Sequence, residues 1–554
     1  MFEPIPYRIR IGVTGRRKLF CRAELEAAVC DALQKLIWCC FDGKSARAIE
    51  QARRENNPPV RFEVLSALAE GADRLVADVV LRFEGASLFA VLPLTESDYR
   101  DTFATQQARD ALEPRLTCAQ RIYRVRTRDL SADTDDPARQ NDLRLTAYED
   151  AGRYIVDHCQ VLIALWNGKG KGGRGGTASV VEYALASGRP VIRIWGGEIH
   201  VMNPKAKIHV TGLAGLRRFS TTRPDHGRRE RRRDDFGSDF FPESEGVAAI
   251  PETARQAIAD WLLPYYTAAS ELAGSQQSRF FRLGAIVYTL SAAATACVAL
   301  TAVGFFSPEL GFGSELALLL LIVAGLLFAR FAAPSELWLE SRFLTERLRC
   351  VGFLALCGIE PTPFELLPFM AHAYDPDNWM VHAAAEIDRR KPALCERPGI
   401  AAMRPFLLHA WIDDQRRYQE KKEHREHSAT EWLEGFGVLL LTTTIAAAVL
   451  HLAWGSLPET IRSLDWLHEF LTVLAIVLPA VTAALVGIQV QREHHRLARR
   501  SAGFAGQLRR LAYRFEHAES EEQLAGIVRE IDEAMLRESQ DWLILMRQAE
   551  IKAG

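Results

Sequence analysis

The chain lacks paired-cysteine motifs. Its ten cysteines fall without CxxC or CxxH spacing, and Cys39 and Cys40 are adjacent. That argues against a disulfide framework or a zinc site and fits a reducing cytoplasm. An excess of one charge is also missing: the formal net charge is -2, so no global field draws the chain to nucleic acid. The opening residues, MFEPIPYRIRIGV, hold no basic stretch followed by an apolar core, and no signal peptide is expected. Long hydrophobic runs are absent before residue 283, yet four follow it. The composition therefore divides into a soluble first part and a membrane-spanning remainder, within a length of 554 residues that allows two to four domains.

What is present centres on residues 160–195, QVLIALWNGKGKGGRGGTASVVEYALASGRPVIRIW. An apolar strand, Val161 to Leu165, runs into a loop with six glycines between Gly168 and Gly176. A helix opens at Thr177, and another apolar strand follows Pro190. Glycines let the backbone turn with φ > 0 and approach a ligand closely. The N–H groups of a helix start, beside Lys169, Lys171 and Arg174, suit an anion, above all a phosphate.

Other turns repeat the theme. Tyr7 to Val13 reads as a buried strand ending in Thr14-Gly15-Arg16-Arg17-Lys18. Arg61 to Ala67 is a second strand, followed by Glu70-Gly71-Ala72-Asp73-Arg74 and an amphipathic helix. Ser87 to Leu92 is a third, and Glu96 to Arg100 opens a helix with acids in its first turn. Arg121 to Val125 is a short strand, 131–141 a polar loop, and Leu143 to Cys159 a helix. Strands alternating with helices predict a parallel sheet covered on both faces. Ligands bind such sheets beyond the carboxyl ends of the strands, where all these turns would gather.

The combination GVTGRR, SALAEGADRLVAD, VLPLTESDY and LIALWNGKGKGGRGGTASVVEYA resembles the SLOG superfamily. These are Rossmann-like nucleotide-binding domains that include the Lonely-guy hydrolases, the DNA-processing proteins and the N-terminal regions of TRPM channels. The resemblance covers roughly residues 7–200 and implies an α/β Rossmann-like fold. It implies a ligand- and phosphate-binding set of Gly12, Thr14, Gly15 and Arg16 in the first turn, and Gly71 and Asp73 in the second. In the glycine loop it implies Gly175, Gly176, Thr177 and Glu182. The hydrolytic Lonely-guy members carry PGGxGTxxE, with glutamate three residues after threonine. Here Glu182 stands five residues after Thr177, on a different face of the helix, and no proline precedes the glycines. The departure puts N-glycosidic hydrolysis in doubt and leaves nucleotide binding intact.

Residues 216–233 hold eight arginines, a surface charge run or a contact for anionic headgroups or nucleic acid. Residues 251–266 form a helix that closes the first domain. Beyond it, spans are predicted at about 283–306, 316–333, 435–454 and 470–490, each close to the length that crosses a bilayer. The first two are joined by a short acidic turn around Pro308 to Glu315. Arg279, Arg282, Arg330 and Arg342 flank the first pair, and Arg416, Arg417, Lys421, Lys422, Arg425, Arg492, Arg496, Arg499 and Arg500 the second. Arg462 alone lies in a hairpin turn. Positive-inside then puts both termini and the 335–430 region in the cytoplasm. The pairs read as copies: Ser341-Arg342 and Leu348-Arg349 match Ser501 and Leu508-Arg509 at an offset of 160. Two-span hairpins with long cytoplasmic helices beside a SLOG domain resemble the SLATT family, thought to supply pore-forming effectors to bacterial nucleotide-signalling defence systems.

The expected layout is a SLOG-like domain over 1–265, a first hairpin with its helix over 266–360, a helical connector over 361–434, and a second hairpin with C-terminal helices over 435–554. The connector is broken early by Pro361, Pro363 and Pro368. Ser291, Thr295, Thr442 and Thr443 are the pore candidates, with helix packing as their alternative role. No catalytic residue, metal or resident cofactor is expected. The ligand would be a nucleotide-derived second messenger, of ADP-ribose type or a cyclic oligonucleotide. The partners would be membrane lipids and further copies of the chain, in a bacterial inner membrane. A membrane-tethered nucleotide hydrolase is the first alternative and a nucleic-acid-binding membrane protein the second.

Overall fold

A computed structural model describes residues 4–169, 173–222, 240–241, 246–332, 334–361, 378–394 and 397–547. Within them the chain divides into two compact units. One is drawn from Phe2–Thr221 and Pro368–Arg389, the other from Thr222–Leu367 and Arg390–Gly554.

The first unit is built on seven strands: β1 (Tyr7–Gly15), β2 (Val60–Ser66), β3 (Ser87–Leu92), β4 (Arg121–Arg124), β5 (Val161–Leu165), β6 (Val191–Trp195) and β7 (Glu198–Val201). Their order is β4-β3-β2-β1-β5-β6-β7. Six run parallel and β7 pairs antiparallel with β6 at the edge. Strands β1, β2, β3 and β5 contain no exposed residue, as expected where both faces are covered. The chain lays β2, β3 and β4 to one side of β1, then crosses back to place β5 and β6 on the other. The winding direction therefore reverses between β1 and β5.

Two helices, α1 (Arg22–Cys40) and α2 (Gly43–Glu55), fill the first crossover, α2 capped by Asp42. Next come α3 (Ala72–Val80), α4 (Glu96–Asp101), capped by the Thr95 hydroxyl, and the short α5 (Gln106–Asp110) and α6 (Glu113–Cys118). The stretch 131–141, expected as a loop, is mostly helical. It ends the turn α7 (Leu130–Asp133) and starts α8 (Pro137–His158). Asp136 accepts the Ala138 N–H and Pro137 takes the first helical position, where its missing donor has no cost. Helices α9 (Thr177–Ala186) and α10 (Gly212–Thr221) complete this part. β1 also runs further than the apolar pattern suggests: Thr14 and Gly15 remain in register with Ala164 and Leu165 of β5.

In the second unit, α11 (Glu252–Ala302) is one helix of 51 residues, about 75 Å long. The helix expected to end at residue 266 does not end there; Pro264 lies inside it. A short turn leads to α12 (Pro308–Ala332), so the expected acidic turn is already helical, with Pro308 first and Glu309 in the opening turn. α13 (Pro334–Cys357) follows. The chain next contributes α14 (Trp379–Arg389) to the sheet unit. It returns with α15 (Arg404–Leu452), which passes through a π-helical stretch at Leu408–Asp413. Finally come α16 (Asp465–Arg492), α17 (His494–Glu516) and α18 (Glu521–Arg547). Four of these helical runs are long and apolar enough to cross a membrane, and the chain is a membrane protein.

The helical unit changes character along its length. In three of the four apolar stretches only 6% of residues are buried, and Leu320, Phe328, Val438 and Val486 lie outward. Beyond those stretches the helices bury a dense core. Phe353 stacks on Trp411 at 5.1 Å and on Phe240 at 5.4 Å, and Trp338 meets Trp542 edge-on at 5.5 Å. The Arg347–Asp532 pair closes at 2.7 Å inside it. Leu524, Ile527, Val528, Ile531, Met535 and Trp542 of α18 are all buried, as their helical spacing predicts. Burial, together with the neighbouring Arg342 and Arg500, pushes Lys422 down to about 8. Two glycines let spans approach: a Cβ on Gly284 would strike Gln491, and one on Gly487 would strike Tyr288.

Helix α14 is held to the sheet by charge. Arg8 donates from Nε and Nη2 to the Glu386 carboxylate at 3.0 and 3.3 Å, and from Nη1 to Gly85 O and Ser87 Oγ. Arg389 pairs with both Glu386 and Glu63. Burial alone would raise Glu63, but Arg389, Arg121, Arg10 and Arg8 outweigh it and hold the carboxyl below its ordinary range. Glu386 is lowered in the same way, against burial, by Arg8 and Arg389.

Candidate functional site

A cavity of about 460 Å³ opens at the carboxyl ends of β1 and β5, where the winding direction reverses. Open parallel sheets offer their ligand crevice at that point, because the two crossovers leave in opposite directions. Its volume is in the range of small-molecule sites. The walls come from the end of β1, the turns after β2 and β3, α8, and the glycine loop with the start of α9.

Close backbone packing builds this corner. Gly71 has φ +91°, and a Cβ there would lie 2.2 Å from Arg17 O and 2.5 Å from Arg16 O. The turn after β2 is thereby pressed against the turn after β1, and Ala72 N–H donates to Arg16 O at 3.1 Å. Gly175, at φ +72°, passes within 2.8 Å of the Glu149 backbone measured from an added Cβ. Gly176 precedes α9 in extended conformation, and no side chain caps the helix. The first N–H groups of α9 thus meet the cavity beside Gly175, Gly176 and Thr177.

Of the residues singled out from the sequence, Thr14, Gly15, Arg16, Asp73, Gly175, Gly176 and Thr177 all line this one cavity. Gly12 and Gly71 do not line it. Gly12 lets α8 pack on β1, since a Cβ there would be 2.8 Å from Cys159 Sγ. Glu182 is exposed on α9 and outside the lining, whereas Val180, three residues after Thr177, is part of the wall. Gly170, Lys171 and Gly172 lie outside the described residues, as do residues 223–233 of the arginine run and Pro363 and Pro368.

The cations divide. Arg174 reaches the lining but donates to Glu149 at 2.8 Å and Asp142 at 3.0 Å, so its charge is spent on α8. Lys169 is exposed and outside the lining. Arg16 is braced rather than neutralised: it donates to Asn167 Oδ1 at 2.8 Å and lies over the Trp195 ring at 5.2 Å. Arg17 also lines the cavity. Asp73, 7% exposed, is the one acid among the lining residues. Burial pushes its carboxyl up to about 7, against the Ala69 N–H and the charges of Arg17 and Arg74. Arg74 itself turns to Leu68 O at 2.9 Å and to the Phe103 ring.

Sequence reasoning left out the two aromatic walls, Tyr99 and Tyr148. Tyr99 donates its hydroxyl to Ala67 O at 2.9 Å, and burial raises it well above the ordinary tyrosine range. The TESDY turn held the signal for Tyr99; Tyr148 shows only once α8 is folded over the sheet. No family model, curated protein or solved structure matches the chain.

The pore candidates lie on two of the spanning helices. Thr295 donates to Ser291 O at 3.3 Å, Thr442 to Leu439 O at 2.9 Å and Thr443 to Leu439 O at 2.8 Å. The three threonine hydroxyls are satisfied within their own helices, as is common in apolar surroundings.

Proposed function

We propose that this chain is a membrane effector gated by a nucleotide-derived signal. The ligand binds at the carboxyl edge of the N-terminal sheet, in a Rossmann-like domain of the SLOG type. The observation that carries the reading is the cavity at the β1/β5 reversal, where an uncapped helix start meets Arg16 and Arg17. Those groups suit the phosphates of an ADP-ribose-type or cyclic oligonucleotide messenger, and Tyr99 and Tyr148 offer apolar wall for a base. The same chain carries four membrane-capable helices, which act as SLATT-like hairpins. Several copies assemble in a bacterial inner membrane, with both termini cytoplasmic by the positive-inside rule, and ligand opens a channel or pore during conflict with phage.

A membrane-tethered nucleotide hydrolase ranks second. It needs a carboxylate on α9 facing the ligand, but Val180 occupies the wall and Glu182 is exposed. The test is reconstitution of the full chain in liposomes loaded with a fluorescent dye, followed by addition of ADP-ribose and of cyclic di- and trinucleotides. Release with one of these ligands, lost in Arg16→Ala and Gly176→Trp, supports the effector. Free base appearing in the same samples without dye release moves the conclusion to the hydrolase.

A further inference from the structure

The cavity combines features that oppose each other. An uncapped helix start and two arginines favour an anion, yet a buried carboxyl lines the same space. Two negative charges held together where little water enters repel strongly. One of three things must follow: the ligand is not anionic, a cation bridges the pair, or the carboxyl is neutral in the complex.

We propose that Asp73 enters the complex as the neutral acid and donates its O–H to a phosphate oxygen, so that binding takes up a proton wherever the empty site is ionised. This rests on reading the cavity as a phosphate site. The Ala69 N–H and the charges of Arg17 and Arg74 favour the carboxylate, and burial outweighs them. Arg74 shares its helix but turns to Leu68 O, and Tyr99 on α4 uses its hydroxyl on Ala67 O. Arg17, from the turn after β1, is the remaining cation bearing on it. Burial already holds the carboxyl near half-protonation at neutral pH in the empty site. An arriving phosphate raises it further, and the proton is drawn from solvent onto the carboxylate oxygen. The site thereby reads acidification together with the messenger.

The experiment uses the full chain in detergent and two probes that hold no exchangeable proton near neutrality, sulfate and ADP-ribose. Binding is followed by calorimetry in buffers of different ionisation enthalpy, at pH 6 and pH 8. If only the protonated site binds, affinity falls about tenfold between those values, and close to one proton is taken up at pH 8. Asp73→Asn, which keeps shape and a donor, is expected to bind equally at both pH values with no proton uptake. Wild-type binding without proton uptake overturns the inference and leaves the phosphate site standing. Binding that needs Mg²⁺ and strengthens as pH rises overturns it in favour of a bridging cation. Failure of both probes to bind at pH 6 removes the phosphate reading and the inference together.

Discussion

The two ends of the sheet treat buried charge in opposite ways. At the end where β1 begins, Arg8, Glu63, Glu386 and Arg389 meet in close pairs, so each of these charges already has its partner. At the carboxyl end, Arg16, Arg17 and Asp73 border a cavity, and burial raises the Asp73 carboxyl where no close ion pair matches it. The first arrangement holds a distant segment, α14, onto the sheet. The second leaves electrostatic work for a ligand to complete. Similar residue types thus mark a fastening at one end and a binding site at the other, and the difference lies in whether the partner is already present.

The comparison breaks most severely if the backbone corner beneath the cavity fails. Gly71→Val puts a side chain against two carbonyl oxygens at a positive φ. It is expected to cost about 5 kcal/mol and to abolish the cooperative melt of the sheet unit, read by circular dichroism. Next is the fastening. Glu386→Ala leaves Arg8 buried without its carboxylate and should cost about 3 kcal/mol in chemical denaturation. Ligand affinity at the opposite end should be unchanged, and a drop in affinity equal to that of Arg16→Ala would erase the distinction. The pH dependence has a definite sign here. Glu63 and Glu386 are lowered in the folded chain, so their stabilisation is full above the ordinary carboxylate range and is lost as pH falls through their lowered values.

Asp73 has the opposite sign. Its carboxyl is raised to about 7, so the stability tied to its neutral form is present below the unfolded value and lost as pH rises through 7. Asp73→Asn should therefore stabilise the empty protein at pH 8 by on the order of 4 kcal/mol, with little effect at pH 4. A melt that moves equally at both pH values would show that Asp73 is not the titrating group. The smallest effect is expected in the membrane helices. Thr443→Val removes a hydroxyl that bonds only within its own helix and should change stability in detergent by less than about 0.5 kcal/mol.

Much of the sheet was legible because parallel strands buried on both faces read as short apolar runs. β3 and β5 match the expected stretches residue for residue. The glycine loop and the TGRR and EGAD turns were legible because each must sit at a strand end. Three features were not. β7 is a four-residue edge strand with alternating exposure and too little apolar content to stand out. α14 joins the sheet through ion pairs that link positions more than 300 residues apart. The helix ending expected near residue 266 failed because Pro264 is accommodated inside α11 and the residues just past it, Tyr265, Tyr266, Ala268, Ala269 and Leu272, are buried, a packing that local sequence does not show.

By itself the sequence determined the two kinds of architecture, the loops that meet at one sheet edge and the four membrane-capable helices, since local periodicity and composition encode these. Tertiary structure alone decided which charges in those loops remain open to a ligand. Arg174 and Asp73 look alike in sequence, each a charged residue within two positions of a glycine. Folding brings Glu149 and Asp142 to the first and removes water from the second. Partner distance and solvent access set the electrostatic state of a side chain, and both are properties of the packed chain.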